Sequence, residues 1–335
     1  MRKVWREDEI KKVYHTPLLE LIYQAATIHR ENHNPLKIHI NTLLSLKTGG
    51  CSEDCGYCPQ SSRHQAKIKV HGILSIQEVK AAVLKAKQNG ATKMCLGAAW
   101  RQVKNNMDFD AVIEMVKVIR QQKMEVCCTL GMLTYEQAKK LKEAGLNTYN
   151  HNIDTSEEFY DKITQTRTYK DRLDTLKNVR DAGISICTGG IIGMGEEDTD
   201  RIKMLLTLAN LHPQPESVPI NALVPVEGTP MGTNKPPAVW DVARVIATAR
   251  ILLPNSIVRL SAGREQFGFE GQALCFLAGA NSIFAGDMLL TTANQSINKD
   301  KLMFDLFGLQ PMQPVNDEPC SQNDKHASVE QNSLH

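Results

Sequence analysis

No run of apolar residues in this 335-residue chain comes near the roughly 18 that a membrane-spanning helix needs. Charge of one sign is also lacking. Lys and Arg number 39 against 37 Asp and Glu, a net of +2, which leaves no basic field to draw in nucleic acid or a membrane surface. The opening MRKVWREDEIKKVYHT mixes both signs and has no apolar segment of the kind a secretory leader carries. Glu7, Asp8, Glu9 and the later Glu20 suit a mitochondrial presequence poorly. The nine cysteines are odd in number and follow no export signal, so a disulfide framework is not expected and a reducing, cytoplasmic setting is. No repeat of 20–50 residues interrupts the pattern.

What is present is 42% hydrophobic residues and a regular alternation of two periods. Strand-like runs occur at Ile38–Leu46, Thr92–Gly97, Met124–Leu130, Asn147–Ile153, Ile184–Ile192, Ser217–Val224, Ser256–Ser261 and Asn281–Ala285. Amphipathic stretches such as IQEVKAAVLKAKQNG, AVIEMVKVIRQQK and YEQAKKLKEAG lie between them. Capping-box pairs mark helix starts at Ser75 with Glu78, Thr134 with Gln137 and Thr155 with Glu158, and Gly90 and Gly145 mark helix ends. Strand–helix alternation implies a parallel sheet, and eight units imply a closed (β/α)8 barrel of the TIM type, with a doubly wound open sheet as the alternative. The expected division is an N-terminal helical extension over 1–37, the barrel over 38–315, and a polar, disordered tail over 316–335. In such a barrel the chemistry sits where strands end at the C-terminal face.

Just after the first strand comes Cys51-Ser-Glu-Asp-Cys55-Gly-Tyr-Cys58. Thiolates at this spacing suit zinc, Cu(I) or an iron–sulfur cluster. A fourth cysteine is missing nearby, and His64 is the other candidate ligand in the loop. Zinc held by three cysteines and His64 would be a closed structural site. A [4Fe-4S] cluster on three cysteines leaves one iron open to a substrate. Cys-x3-Cys-x2-Cys with an aromatic, here Tyr57, before the last cysteine resembles the signature of the radical S-adenosylmethionine (SAM) superfamily, and favours the cluster.

Cys95, Cys127 or Cys128, Cys187 and Arg259 fall on four different strand candidates. Any one buried cysteine is most simply core, yet three and an arginine could converge inside one barrel, where an arginine is costly unless paired or ligating. Adjacent strand residues face opposite ways, so one of Cys127 and Cys128 points inward. Cys275 and Cys320 read as structural and incidental. Asn150, Asn152 and Asp154 share a face at period two. The segment Gly189-Gly190-Ile191-Ile192-Gly193-Met194-Gly195-Glu196 does not spell the dinucleotide fingerprint, but matches G-x-I-x-G-x-x-E. Arg172 could equally be a solvated helix charge.

The loop TGGCSEDCGYCPQSSRH resembles that of the biotin synthase family, and MCLGAAW, YNHNIDTS, TRTYKDRLDTL, GGIIGMGE, ESVPIN and VRLSAGREQ follow in that family's order from about residue 15 to 310. The resemblance implies a [4Fe-4S] cluster on Cys51, Cys55 and Cys58. It implies a [2Fe-2S] cluster on Cys95, Cys127, Cys187 and Arg259, the pattern Cys-x-Thr-Leu-Gly selecting Cys127. SAM would meet Tyr57, Ala98, Asn152, Asp154, Arg172, Gly189, Ile191 and Gly193, and dethiobiotin would meet Asn150, Asn152 and Asn221. The implied reaction is sulfur insertion into dethiobiotin after reductive cleavage of SAM, with a flavodoxin or ferredoxin as reductant and a homodimer as the assembly. Lipoyl synthase is the nearest rival in chemistry, but its second cysteine triplet near the N-terminus is missing before Cys51. Another radical SAM enzyme on the same barrel, or a non-catalytic iron–sulfur electron carrier, are the remaining alternatives.

Overall fold

The computed structural model describes residues 4–312. Two N-terminal helices, α1 (Glu7–Tyr14) and α2 (Leu18–Asn32), precede the first strand. Strands β1 (Lys37–Lys47), β2 (Lys93–Ala98), β3 (Glu125–Thr129), β4 (Thr148–Asn150), β5 (Ser185–Cys187), β6 (Gly190–Ile192), β7 (Ser217–Ala222), β8 (Ile257–Leu260) and β9 (Ser282–Ala285) follow, all paired in parallel. Pairing of β9 with β1, Asn41 opposite Phe284, closes the ring. The eight staves are those the alternation predicts, with two differences.

The fifth stave is broken. Cys187 pairs with Ser217 on β7, then the chain steps over Thr188 and Gly189 before β6 resumes the pairing at Gly190 opposite Ile220. At the break the backbone of Gly189 presses on β7, where a Cβ would lie 2.0 Å from the Pro219 carbonyl oxygen. The second difference is β10 (Gln310–Pro311), which returns to pair with Lys37 and Ile38 at the start of β1.

The barrel is wrapped by α3 (Ile76–Gln88), α4 (Met107–Gln121), α5 (Tyr135–Glu143), α6 (Glu157–Tyr160), α7 (Tyr169–Asp181), α8 (Asp198–Asn210), α9 (Val239–Leu252), α10 (Gly268–Leu277) and α11 (Ile297–Phe307). Capping boxes at Ser75 and Thr134 form as expected, each hydroxyl accepting from the N3 amide. The pair at Thr155 and Glu158 does not. Ser156 caps the four-residue α6 instead, accepting from Phe159 N at 3.2 Å. Gly90 and Gly145 take φ of +78° and +99° just past their helices, a conformation glycine adopts without cost.

The core lies between staves and helices. On β2 and β3, Met94, Leu96, Val126 and Cys128 face outward into it, whereas Cys95 and Cys127 face the barrel interior. α9 is buried on nearly every side because α2 lies along its outer face and β7 and β8 along its inner one. Its Arg250 is fully buried and donates to the carbonyls of Gly279, Pro254 and Ser256. Among the described residues no helix is long and apolar enough to cross a membrane. The segment 316–335, with Cys320, lies outside the described residues.

Candidate active site

The loop leaving β1 carries Cys51, Cys55 and Cys58 over the C-terminal mouth of the barrel. Backbone bonds shape it: Cys51 N donates to Gln60 O at 2.9 Å, Ser62 N to Cys51 O at 2.7 Å, and Cys58 N to Cys55 O at 2.9 Å. Asp54 pins the loop to the turn before α7, accepting from Thr164 Oγ1 at 2.5 Å and from the amides of Gln165 and Thr166 at 3.1 and 3.2 Å. Burial pushes the Asp54 carboxyl up, but these hydrogen bonds together outweigh it and bring the group down to about 2.

All three loop cysteines are free thiols, with Cys55 buried and Cys51 and Cys58 partly so. Burial raises each of them, and Cys58, with Cys55 beside it, reaches about 12. They line a cavity of about 200 Å³ together with Ala98, Asn150, Asn152, Asp154 and Arg172. His64 Nδ1 lies 3.0 Å from the Cys58 carbonyl oxygen. Among the described residues no three His, Cys, Asp or Glu side chains converge tightly enough for a single ion. Three thiols, one buried and two partly so, spread around a cavity match a multi-iron cluster better than one zinc ion.

Asp154 is the hub of the cavity's polar wall. Its backbone adopts φ +69°, and its carboxylate accepts from Tyr57 Oη at 3.0 Å and from Arg172 Nη2. Strand β4 ends at Asn150, so the period-two row extends past the regular strand. Asn150 and Asn152 face the interior, joined by a hydrogen bond of 3.2 Å, and Asp154 reaches the same cavity from a turn. Arg172 is buried on α7 and donates to Tyr160 Oη at 2.9 Å, so it is no solvated helix charge. Burial is the largest influence and works against its charge, but Asp154, Tyr160, Tyr57 and Cys55 together outweigh it and hold the guanidinium charged.

A second cavity of about 260 Å³ runs inward from the first. Its lining includes Cys58, Cys95, Cys127, Asn150, Asn152, Ile191, Asn221 and Arg259. Cys95 and Cys127 are directly opposite on neighbouring strands. A hydrogen bond from Cys127 makes Cys95 the more acidic thiol and drives Cys127 upward. Cys187 pairs with Asn150 across the next strands, and its sulfur accepts from Asn150 Nδ2 at 3.3 Å and from Arg259 Nη1 at 3.8 Å.

Arg259 also donates to Ser282 Oγ and Ser217 Oγ. Asn41 Oδ1 accepts from it at 2.9 Å and 3.1 Å in the amide orientation that satisfies both groups. These partners are hydroxyls, an amide and a sulfur. Its charge faces three thiols and no carboxylate among them, which suits a site completed by deprotonated sulfur.

Gly189, Gly193 and Glu196 stand apart from both cavity linings. Gly189 makes the close pass to β7, and Gly193 N and Met194 N donate to the Glu196 carboxylate, which Arg201 holds at 2.9 Å. Asn221 donates to Gly190 O at 3.0 Å and accepts from Ala262 N at 3.2 Å. Sequence reasoning passed over Glu53, Tyr160, Arg167 and His151, all buried around the cysteine loop. Arg167 was discoverable, since it stands in the same TRTYKDRLDTL segment as Arg172. His151 alternates with Asn150 and Asn152 and is held neutral by burial, with Arg172 and Arg167 adding to the effect.

The family model "Radical SAM superfamily" matches residues 45–209, and "Biotin and Thiamin Synthesis associated domain" matches 219–310. The chain is 58% identical to a biotin synthase of Cytophaga hutchinsonii, over 93% of this chain and 93% of that protein. It is 53% identical to the mitochondrial biotin synthase of Arabidopsis thaliana, over 98% and 87%, and 52% identical to a biotin synthase of Nostoc punctiforme, over 98% of each. Among solved structures, methylornithine synthase superposes with a TM-score of 0.79 at 16% identity, covering 93% of this chain and 95% of that one. The FeFe-hydrogenase maturase from Carboxydothermus hydrogenoformans gives 0.79 at 16%, covering 92% and 76%. At such identities these two speak for the barrel alone.

Proposed function

Because the chain belongs to the biotin synthase family and is an enzyme of the radical SAM class, we propose that its two cavities carry out sulfur insertion into dethiobiotin, giving biotin. The observation that carries this reading is that one cavity touches both sulfur sets, Cys58 of the loop triplet and Cys95, Cys127 and Arg259 of the interior layer. When bound, a [4Fe-4S] cluster on the triplet supplies the electron for SAM cleavage, and a [2Fe-2S] cluster on Cys95, Cys127, Cys187 and Arg259 supplies the sulfur.

The chain's own groups have separable tasks. Asn152, Asp154 and Tyr57 border the triplet's cavity and present an amide, a carboxylate and a phenol to the ribose of SAM, with Ala98 and Ile191 beside its adenine, while Gly189 and Gly193, which line neither cavity, shape the turn that carries Ile191. Arg172, fixed by Asp154 and Tyr160, offers a guanidinium to the SAM carboxylate. Asn150 and Asn221 flank the inner cavity and orient the ureido group of dethiobiotin. The apolar wall of Leu43, Val226, Phe284 and Leu290 excludes water from the reacting carbons. A flavodoxin or ferredoxin as reductant, a homodimer as the assembly, a cytoplasmic setting, and a division into extension (1–37), barrel (38–315) and tail (316–335) complete the reading.

The test is anaerobic reconstitution with iron and sulfide, then incubation with reductant, SAM and dethiobiotin, with 5′-deoxyadenosine and biotin followed by mass spectrometry. Wild type should yield both products. Cys55→Ala should lose both, and Cys187→Ala should lose biotin while still cleaving SAM. Deoxyadenosine without biotin from wild type would move the substrate elsewhere, and neither product from cluster-replete protein would overturn the reading.

A further inference from the structure

Cys55 is the deepest of the three loop cysteines, and a guanidinium faces its sulfur. Arg167, in the turn before α7, is 6% exposed and places Nη2 3.6 Å from Cys55 Sγ. Its Nε donates to Tyr160 Oη at 3.2 Å, which fixes the plane of the fork. The carboxylate nearest it is Glu53, inside the cysteine loop and itself 4% exposed. Glu53 Oε1 lies 3.7 Å from Arg167 Nη1 and 3.3 Å from Arg101 Nε, yet it is aligned for a hydrogen bond with neither. Its other oxygen is taken by Thr166 Oγ1. Glu53 is thus divided between two arginines, and Arg167 keeps a donor free for the sulfur.

Around Cys55 two buried guanidiniums, Arg167 and Arg172, face two buried carboxylates, Glu53 and Asp154, while Arg101 is part-exposed. The buried charges balance, so the lever on the cluster is local: the Arg167 donor that Glu53 leaves free is directed at the Cys55 sulfur. Hydrogen bonds and positive charge at cluster sulfurs stabilise the reduced form, which is the more negative by one electron.

We propose that Arg167, opposed by Glu53, sets the reduction potential of the cluster held by Cys51, Cys55 and Cys58, which rests on the cluster reading above. Arg167 is a positioning residue, acting through the Cys55 sulfur and not on substrate. It makes the cluster easier to reduce, and Glu53 holds that effect back. The step concerned is the transfer of one electron from an added reductant to the cluster, with no bond made or broken in the protein.

The experiment is a potentiometric titration of reconstituted full-length protein without SAM, the reduced cluster being read by electron paramagnetic resonance. At a fixed potential near the wild-type midpoint, Arg167→Gln should lower the ratio of reduced to oxidised cluster about tenfold, a shift of about 59 mV for one electron. Glu53→Gln should raise the ratio. Opposite signs are the signature, since two merely structural residues would both lower cluster content and leave the midpoint of the surviving cluster unchanged. If Arg167→Gln retains no cluster, Glu53→Gln decides: a raised ratio upholds the assignment and an unchanged one overturns it. Unchanged midpoints in both variants overturn it while leaving the cluster reading intact. Wild-type protein that takes up no cluster overturns that reading instead.

Discussion

At the level of single residues, the polar wall of the site depends on one strained carboxylate. Asp154 combines a left-handed backbone with a pair to a buried arginine. Asn tolerates that backbone nearly as well as Asp, so Asp154→Asn isolates the charge from the conformation. It leaves the Arg172 guanidinium buried without its anion, a loss of roughly 3–5 kcal/mol by analogy with broken buried pairs. Urea denaturation of the cluster-free protein should show that loss, and an unchanged midpoint would mean the pair contributes nothing. Period two put Asn150, Asn152 and Asp154 on one face, and all three do border one cavity. The turn that delivers Asp154 was not legible, because it arises from the contact between residues 154 and 190, which no local pattern encodes. Glu53 and Arg167 escaped notice for a similar reason. A charge in a loop looks solvated until the fold buries it.

Among the elements, strands and helices were readable wherever their period was long and clean. The helices capped at Ser75 and Thr134 begin where their sequences say. The third capping signal failed by one residue because Thr155 and Ser156 compete for the same role, and hydroxyl order alone does not decide between them. The fifth stave looked continuous because Ile184–Ile192 carries no charge or proline to interrupt it, and its break comes from β7 crowding the Gly189 backbone. Gly189→Ala places a methyl carbon against the Pro219 carbonyl and must push the two staves apart. An overpacked contact of this kind costs about 1–3 kcal/mol, so the variant should melt earlier than wild type and load less iron into the interior layer. A calorimetric scan together with an iron assay checks both. Wild-type melting would show that the stave can yield.

For the molecule as a whole, histidines kept neutral by burial link stability to pH: the half-buried His33 and His39, the buried His29, and His151 in the site. Burial lowers His29 to about 3, with Arg250 and His33 adding to it, and lowers His39 to about 4, with Lys93 adding to it. His33 shifts the same way, through burial and Arg250. Each is therefore neutral when folded at a pH where the unfolded chain, with its ordinary value of 6.5, already binds a proton. Their contribution is fully present above about pH 6.5 and is lost as pH falls through 6.5 toward 4 and 3. Denaturation midpoints should drop between pH 7 and 5, and His29→Asn should flatten part of that slope. A flat profile in wild type would contradict the linkage. The barrel itself was the most legible level, since eight alternations leave few topologies. The return of residues 310–311 to β1 was not, because a two-residue strand leaves no periodic trace.

Ring closure also sets an order in time. The cysteine loop leaves the ribosome more than two hundred residues before the stave that pairs with β1. At the usual pace of synthesis, on the order of 10 residues per second, the loop thiols wait tens of seconds without a barrel beneath them. Through that interval they are neither buried nor ligated, and they are open to oxidation and to mismatched metals. The growing chain therefore presents its loop thiols before the ring that covers them can close, and synthesis under reducing conditions should raise the share of protein that can take up a cluster.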